Sequence, residues 1–115
     1  MPLLSLQTTV VLPEDKRQAL LASLSKIVAE TIGKPQQYVM VTASQTDMRM
    51  SGSPGDAALV DVRSIGGLTG DVNRELSRKV CQLLHESLGI PPNRVYLNFT
   101  DVPASHWGWN ENTFG

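Results

Sequence analysis

The sequence predicts an α/β (α+β) fold: a tandem β-α-β repeat making one four-stranded mixed sheet with two helices on one face. Three observations carry this. An offset of 56 residues lays most of the chain on itself, so that Glu30-Thr31-Ile32-Gly33-Lys34-Pro35 becomes Glu86-Ser87-Leu88-Gly89-Ile90-Pro91. Inside each copy, apolar residues at helical spacing stand between two strand-like runs. Each helix then ends on the same device, a glycine followed two residues later by proline. The 115 residues form one domain, 1–115, with internal repeats at about 3–42 and 59–98.

The elements follow in order. Leu3-Leu4-Ser5-Leu6 is the first strand, and Leu59-Val60-Asp61-Val62 is its mate in the second copy. Proline lacks the N–H that a sheet uses and is tolerated at strand starts. Pro2 therefore has two readings: a strand opener, or a terminal secondary amine once Met1 is removed. Pro13 suits the first helical turn, and Glu14 and Asp15 suit the positive end of the helix dipole. Leu20, Leu24, Ile27 and Val28 share one helical face, as do their mates Leu76, Val80, Leu83 and Leu84. Gly33 and Gly89 supply left-handed stops, and Pro35 and Pro91 prevent continuation.

Tyr38–Val41 and Arg94–Phe99 are read as the closing strands of the two copies. Residues 44–56 are rich in turn formers and read as a loop, with a short strand around Asp47 to Met50. The tail from Pro103 carries both tryptophans. Two helices on one face leave the other sheet face bare, and its apolar positions predict burial against other subunits.

Composition excludes several classes. Ten basic and eleven acidic residues give a net charge of −1, scattered singly, which argues against nucleic acid and anionic membranes as partners. No run reaches the roughly 18 apolar residues of a membrane span, and no signal-peptide pattern is present. A single cysteine, Cys81, rules out an internal disulfide framework and fits a reducing, cytoplasmic compartment; export without a leader stays open. One Cys and two His, His85 and His106, have no metal-ligand spacing.

The candidate site residues each have a bland reading beside a chemical one. A free Pro2 amine in an apolar pocket would be a base held largely neutral near pH 7. Residues 64–71, from Ser64 to Asp71, join a strand to a helix and offer backbone N–H groups to an anion, or form only a flexible turn. The glycine spacing is not that of a nucleotide loop. Lys34 either covers a helix end or meets an anion. Tyr96 and Asn98 share one strand face. Trp107, Trp109 and Phe114 read as packing or as a ring pocket, and Cys81, whose mate is Ser25, as a packed thiol.

Taken together, these features resemble the macrophage migration inhibitory factor family of the tautomerase superfamily. The resemblance rests on the initial Met-Pro, Gly33-Lys34-Pro35 with Gln37-Tyr38, Ser64-Ile65-Gly66, Asn73-Arg74, Arg94-Val95-Tyr96 with Asn98, Asp101, and Gly108-Trp109-Asn110 with Thr113-Phe114. It spans essentially the whole chain. It implies a homotrimer whose sheets surround a solvent channel, with active sites between subunits. The implied activity is cofactor-free keto–enol tautomerisation of small aromatic keto acids, of the phenylpyruvate tautomerase and dopachrome isomerase type. The same family also contains cytokine-like signalling proteins, so receptor binding with a vestigial pocket is the alternative.

By the same resemblance, the Pro2 amine is the general acid/base. Lys34 and the Ile65 N–H would hold the substrate carboxylate. Tyr96 and Asn98, from the neighbouring subunit, would act at the carbonyl end. Leu3, Tyr38, Trp109 and Phe114 would line the ring pocket, with Trp107 at its rim. Ala57 and Val60 stand where some members carry Cys-x-x-Cys, so thiol oxidoreductase activity is not expected.

Overall fold

Strand β1, Pro2–Thr8, opens on the proline, and a computed structural model describes all residues from Met1 to Gly115. Helix α1 spans Glu14–Ile32, β2 Met40–Gln45, β3 Ala58–Ser64, α2 Gly70–Leu88 and β4 Val95–Asp101. The sheet order is β2-β1-β3-β4. β1 runs parallel to β2 and antiparallel to β3, and β3 runs parallel to β4, which makes the sheet mixed.

The two copies superpose element on element. Both helices have 19 residues, and α2 begins and ends 56 residues after α1. Strands β1 and β3 have seven residues each and the same alternation of buried and open positions. Leu4, Leu6, Val60 and Val62 point from the sheet to the helices and meet Leu20, Leu24, Val28, Leu76, Val80 and Leu84 in one apolar core. Each of these aliphatic groups is worth about 1.5–3 kcal/mol when fully buried.

Local chemistry explains the boundaries. Pro13 precedes α1 as its N-cap, rather than sitting in the first turn, because its extended ψ of 151° is not helical. Gly33 and Gly89 close their helices in the left-handed region at φ 79° and 71°. Thr69 caps α2, its hydroxyl accepting from Val72 N–H at 3.2 Å.

Three expectations shift. Tyr38 and Arg94 lie in short 3-10 turns, Gln36–Tyr38 and Pro92–Arg94, so β2 starts later than expected and runs on to Gln45. No strand forms over Asp47 to Met50; the segment has only a bridge from Met50 to Ser53. The tail, for which spacing predicts no element, is structured. After a short turn, Ala104–His106, it folds into a hairpin of β5, Gly108–Trp109, and β6, Asn112–Thr113. Asn110 and Glu111 make its two-residue turn at φ 51° and 66°, where asparagine is among the tolerated residues.

The bare sheet face is more polar than the apolar positions suggest. Leu3, Met40, Leu59 and Tyr96 ring it, but Ser5, Thr42, Asp61, Arg63 and Asn98 fill its middle. Ser5 and Thr42 hydrogen-bond each other there at 3.0 Å.

Candidate active site

Pro2 is the first residue of β1, and its ring is buried on the helix side of the sheet. Register fixes what lies beside it. Pro2 faces Ser64 across the antiparallel pair, and Ser64 faces Asp101 on β4. Leu3 points to the opposite face and pairs with Met40.

A cleft of about 670 Å³ opens at this strand end. Its walls are Met1, Pro2, Leu3, Tyr38, Val39, Met40 and, from the tail, Trp107, Trp109 and Phe114. The hairpin explains why the tail arrives there. Phe114 N–H bonds back to Trp107 O at 3.1 Å, and the Trp109 and Phe114 rings stack 5.9 Å apart at 7°. Tyr38 meets Trp109 edge-on at 6.4 Å and 85°. The aromatic wall is therefore built from two distant stretches of chain. Trp109 stays 60 % exposed, so its ring face is available to a flat ligand.

The polar side of the site is made by α1's end and the turn after β3. Lys34 lies just past the Gly33 stop. The Met1 α-ammonium has its pKa lowered, first by burial and second by the positive charge of Lys34. Lys34 thus bears electrostatically on the chain terminus. Its side chain also crosses the glycine turn, where a Cβ on Gly67 would lie 3.7 Å from Lys34 Cε and 2.8 Å from Ile32 Cγ2. Gly67 also has φ 81°, so both space and backbone demand glycine there. Asp101 fastens the turn by accepting from Gly66 N–H at 2.9 Å, and Val102 N–H bonds Ser64 O at 2.9 Å. Ile65 sits between these two anchors.

Pro2, Leu3, Tyr38, Trp107, Trp109 and Phe114 thus come together as walls of the cleft. Lys34 and Ile65 are not among its walls: Lys34 acts on the terminus through its charge, and Ile65 follows Ser64 into the turn. Tyr96 and Asn98 do not join them. They lie on β4, in register with Leu59 and Asp61, exposed on the bare face and away from their own chain's cleft. Sequence reasoning missed Val39 and Met40 as walls, and Asp101 and Gly67 as the fasteners of the turn. Strand register is the signal that finds Met40, opposite Leu3, and Asp101, opposite Ser64; Val39 and Gly67 lie outside the strands and carry no such mark. No group of three or more His, Cys, Asp or Glu comes together in a form that could hold a metal.

The β-α-β-β-α-β order, with a cleft walled by the start of the first strand and an aromatic tail, agrees with the tautomerase superfamily fold that the sequence resembles. Comparison with known proteins narrows this. The sequence profile described as "Macrophage migration inhibitory factor (MIF)" matches residues 1–115. The macrophage migration inhibitory factor of Meriones unguiculatus is 40 % identical over 98 residues, covering 84 % of this chain and 85 % of that protein. The homolog from Trichuris trichiura is 36 % identical over 115 residues, covering 99 % and 100 %. Among solved structures, the homologue from Prochlorococcus marinus superposes with a TM-score of 0.93 at 42 % identity over 98 % of this chain and 99 % of that one. The Toxoplasma gondii protein does so at 0.94 and 36 %, over 97 % and 99 %. The chain belongs to the macrophage migration inhibitory factor family.

Proposed function

We propose that this chain, once Met1 is removed, is a cofactor-free keto–enol tautomerase of small aromatic α-keto acids, phenylpyruvate and dopachrome being the model substrates. The observation that supports it best is the cleft itself. Pro2, the residue that trimming would convert to an amine, shares its wall with Trp107, Trp109 and Phe114, and the charge of Lys34 bears on the adjoining terminus.

The chemistry assigns each part. A keto acid enters with its ring on Trp109 and Phe114. Its carboxylate meets Lys34 and the Ile65 N–H, beside the turn that Asp101 fastens. The neutral Pro2 amine takes a proton from carbon and returns it to oxygen, or the reverse. Burial and the Lys34 charge, which already depress the terminal ammonium, act in the direction that keeps such an amine unprotonated near neutral pH. Charge developing on the carbonyl oxygen needs donors. Tyr96 and Asn98 supply them from a neighbouring subunit, because their own fold turns them away. A homotrimer around the polar bare faces satisfies that requirement and leaves a watery centre.

The test is Pro2→Gly in trimmed protein. It keeps a terminal amine but changes its basicity and position. kcat/KM for phenylpyruvate should fall about tenfold or more while the fold survives, as general-base contributions of this kind do. Parent-like turnover would remove Pro2 from the mechanism.

A further inference from the structure

Ser64 is fully buried, and its Oγ has no hydrogen-bond partner. Such an orphan calls for an explanation, because a buried hydroxyl without a partner is destabilising. The internal repeat supplies a control. The mate of Ser64 is Thr8, also fully buried, at the equivalent strand end and opposite Ala58, the mate of Pro2. Thr8 Oγ1 is satisfied twice: it donates to Ala57 O at 2.9 Å and accepts from Val10 N–H at 3.2 Å. Two equivalent hydroxyls thus have opposite fates, and the difference lies beside Pro2.

The proline nitrogen explains it. With Met1 attached, that nitrogen is a tertiary amide: it carries no hydrogen and has no usable lone pair. It offers Ser64 nothing. Removal of Met1 makes it a secondary amine with an N–H. Ser64 is the residue directly opposite Pro2, on the same helix-facing side of the sheet. Residues so paired have Cβ atoms about 4.5–5.5 Å apart, which sets the Ser64 side chain beside the Pro2 ring that carries the nitrogen. With Met1 in place its Oγ is inaccessible to solvent and Ser64 forms no wall of the cleft, so the role assigned to it involves no substrate contact.

We propose that Ser64 is a positioning residue for the catalytic amine: its Oγ accepts the Pro2 N–H in the trimmed chain and so turns the nitrogen lone pair into the cleft. This rests on the tautomerase reading above. The proton balance is simple. The neutral amine gives its one N–H to Ser64 and takes the substrate's carbon-bound proton on its lone pair. The resulting ammonium holds two N–H groups, one still on Ser64 and the other facing the substrate oxygen or carbon that receives it. The bond to Ser64 is neither made nor broken in turnover. An acceptor holds a charged donor more strongly than a neutral one, so Ser64 also favours the ammonium. It opposes burial and Lys34, which disfavour it. The charged and titratable groups that pack around Pro2 are Lys34 past α1, Tyr38 in the turn before β2, and Asp101 on β4; substitution of Ser64 changes none of them.

The experiment uses trimmed protein, verified by intact mass, as parent, Ser64→Ala and Ser64→Thr. The Pro2 nitrogen is titrated directly by NMR with ¹⁵N-proline, and phenylpyruvate kinetics are recorded over pH. In Ser64→Ala the amine midpoint should fall by about half a unit or more, as loss of a charge-assisted bond implies. kcat should drop about three- to tenfold with KM changed less than about twofold, because the role assigned to Ser64 involves no substrate contact. Ser64→Thr should restore both, since Thr8 shows that the fold takes threonine at this strand end. In protein that retains Met1, Ser64→Ala should instead leave Tm unchanged or raise it, because it deletes an orphan. An unchanged ¹⁵N midpoint in Ser64→Ala, or a threonine variant that behaves like alanine, overturns the proposal. The NMR titration reads the contact without turnover, so an inactive parent would sink the tautomerase reading alone.

Discussion

The two ends of the sheet share one frame and do opposite things with it. At one end Met1, Pro2 and Tyr38 line an open cleft, and the charge of Lys34 bears on Met1. At the other, 56 residues on, stand Ala57, Ala58, Ile90 and Arg94. There Ala57 O takes both the Thr8 hydroxyl and the Thr9 N–H, at 2.9 and 3.2 Å. The corresponding bonds from Ser64 and Ile65 to Met1 are not made. Ile90 is fully buried where Lys34 is half-exposed. Arg94 turns inward and spends its guanidinium on the 50–56 segment, donating to Met50 O, Asp56 O, Ser53 O, Ser53 Oγ and Gly55 O at 2.9–3.3 Å. At the closed end the strand-end hydroxyls are tied down, Thr8 by Ala57 O and Val10 N–H, and Thr9 by Asp56 Oδ1 and Ala57 N–H. The open end differs because neither Ser64 nor Ile65 bonds back to Met1. The site is an unfastened copy of a structural joint.

That contrast is broken most severely by keeping Met1. Met1 makes Pro2 resemble Ala58, an internal residue with no basic nitrogen, and it occupies the cleft wall itself. Protein homogeneous in Met1 should turn over phenylpyruvate at background rate, a loss of about a hundredfold or more, as expected when the general base is removed. Sorting preparations by intact mass, specific activity should follow the trimmed fraction. Full activity with Met1 in place would put the base elsewhere and leave Pro2 a strand opener.

Lys34→Ile sharpens the comparison by copying the closed end's Ile90. The loss should be about 2 kcal/mol, roughly thirtyfold in KM, for phenylpyruvate, the size of a lost hydrogen bond to a charged group. A dopachrome ester has no free carboxylate and should lose much less. Equal losses on acid and ester would mean that Lys34 acts through the amine's pKa instead.

Arg94→Ala tests the closed end. The acceptors are mostly open to water, so the variant should lose only about 1–2 kcal/mol of stability, measured by urea unfolding. Arg94 lines no part of its own chain's cleft, so turnover of the folded protein should change only through Tyr96, two residues on, which the proposed function lends to a neighbouring cleft. A large activity loss without unfolding would couple the two ends.

The frame was legible in the sequence because helices and strands leave periodic apolar marks, and a repeat marks them twice. Leu20/Leu76, Leu24/Val80 and Val28/Leu84 are all buried mates. Pro2, Lys34 and the tail aromatics were legible by family resemblance. What escaped is set by register and rotation, which spacing does not encode. Tyr38 reads as a strand residue until the chain, leaving Pro35, makes a 3-10 turn that aims its ring at Trp109. Arg94 is its mate by number, yet turns inward to bind carbonyls that lie about forty residues back. The hairpin around Asn110 has no apolar period to announce it. Ser64 looks like any strand-end serine until its partner across the sheet is known.

The smallest expected effect separates the ends by pH. In protein that retains Met1, the α-ammonium is the only titrating group of its kind, since Ala57 at the closed end is in a peptide bond. Its folded pKa is lowered by burial and then by Lys34, whereas the unfolded chain keeps the ordinary value of about 7.7–8.0. Between the two values the unfolded chain holds a proton that the folded chain has lost, so stability rises with pH across that window. Above about 8 both states are neutral and the contribution is fully present; as pH falls through the lowered folded value it is lost. Met1 is only half-buried and solvent screens it, so the slope should be shallow. Cys81 sets the upper limit of a clean measurement. Burial raises its thiol, so the unfolded chain ionises first there and stability declines at alkaline pH. Urea midpoints from about pH 6 to 8 should therefore climb in the Met1-bearing protein. They should climb less with Lys34→Ala, which removes the second cause, and flatten when the terminus is acetylated. A slope that survives acetylation would trace the pH dependence to another group and take the open end's amine out of the account.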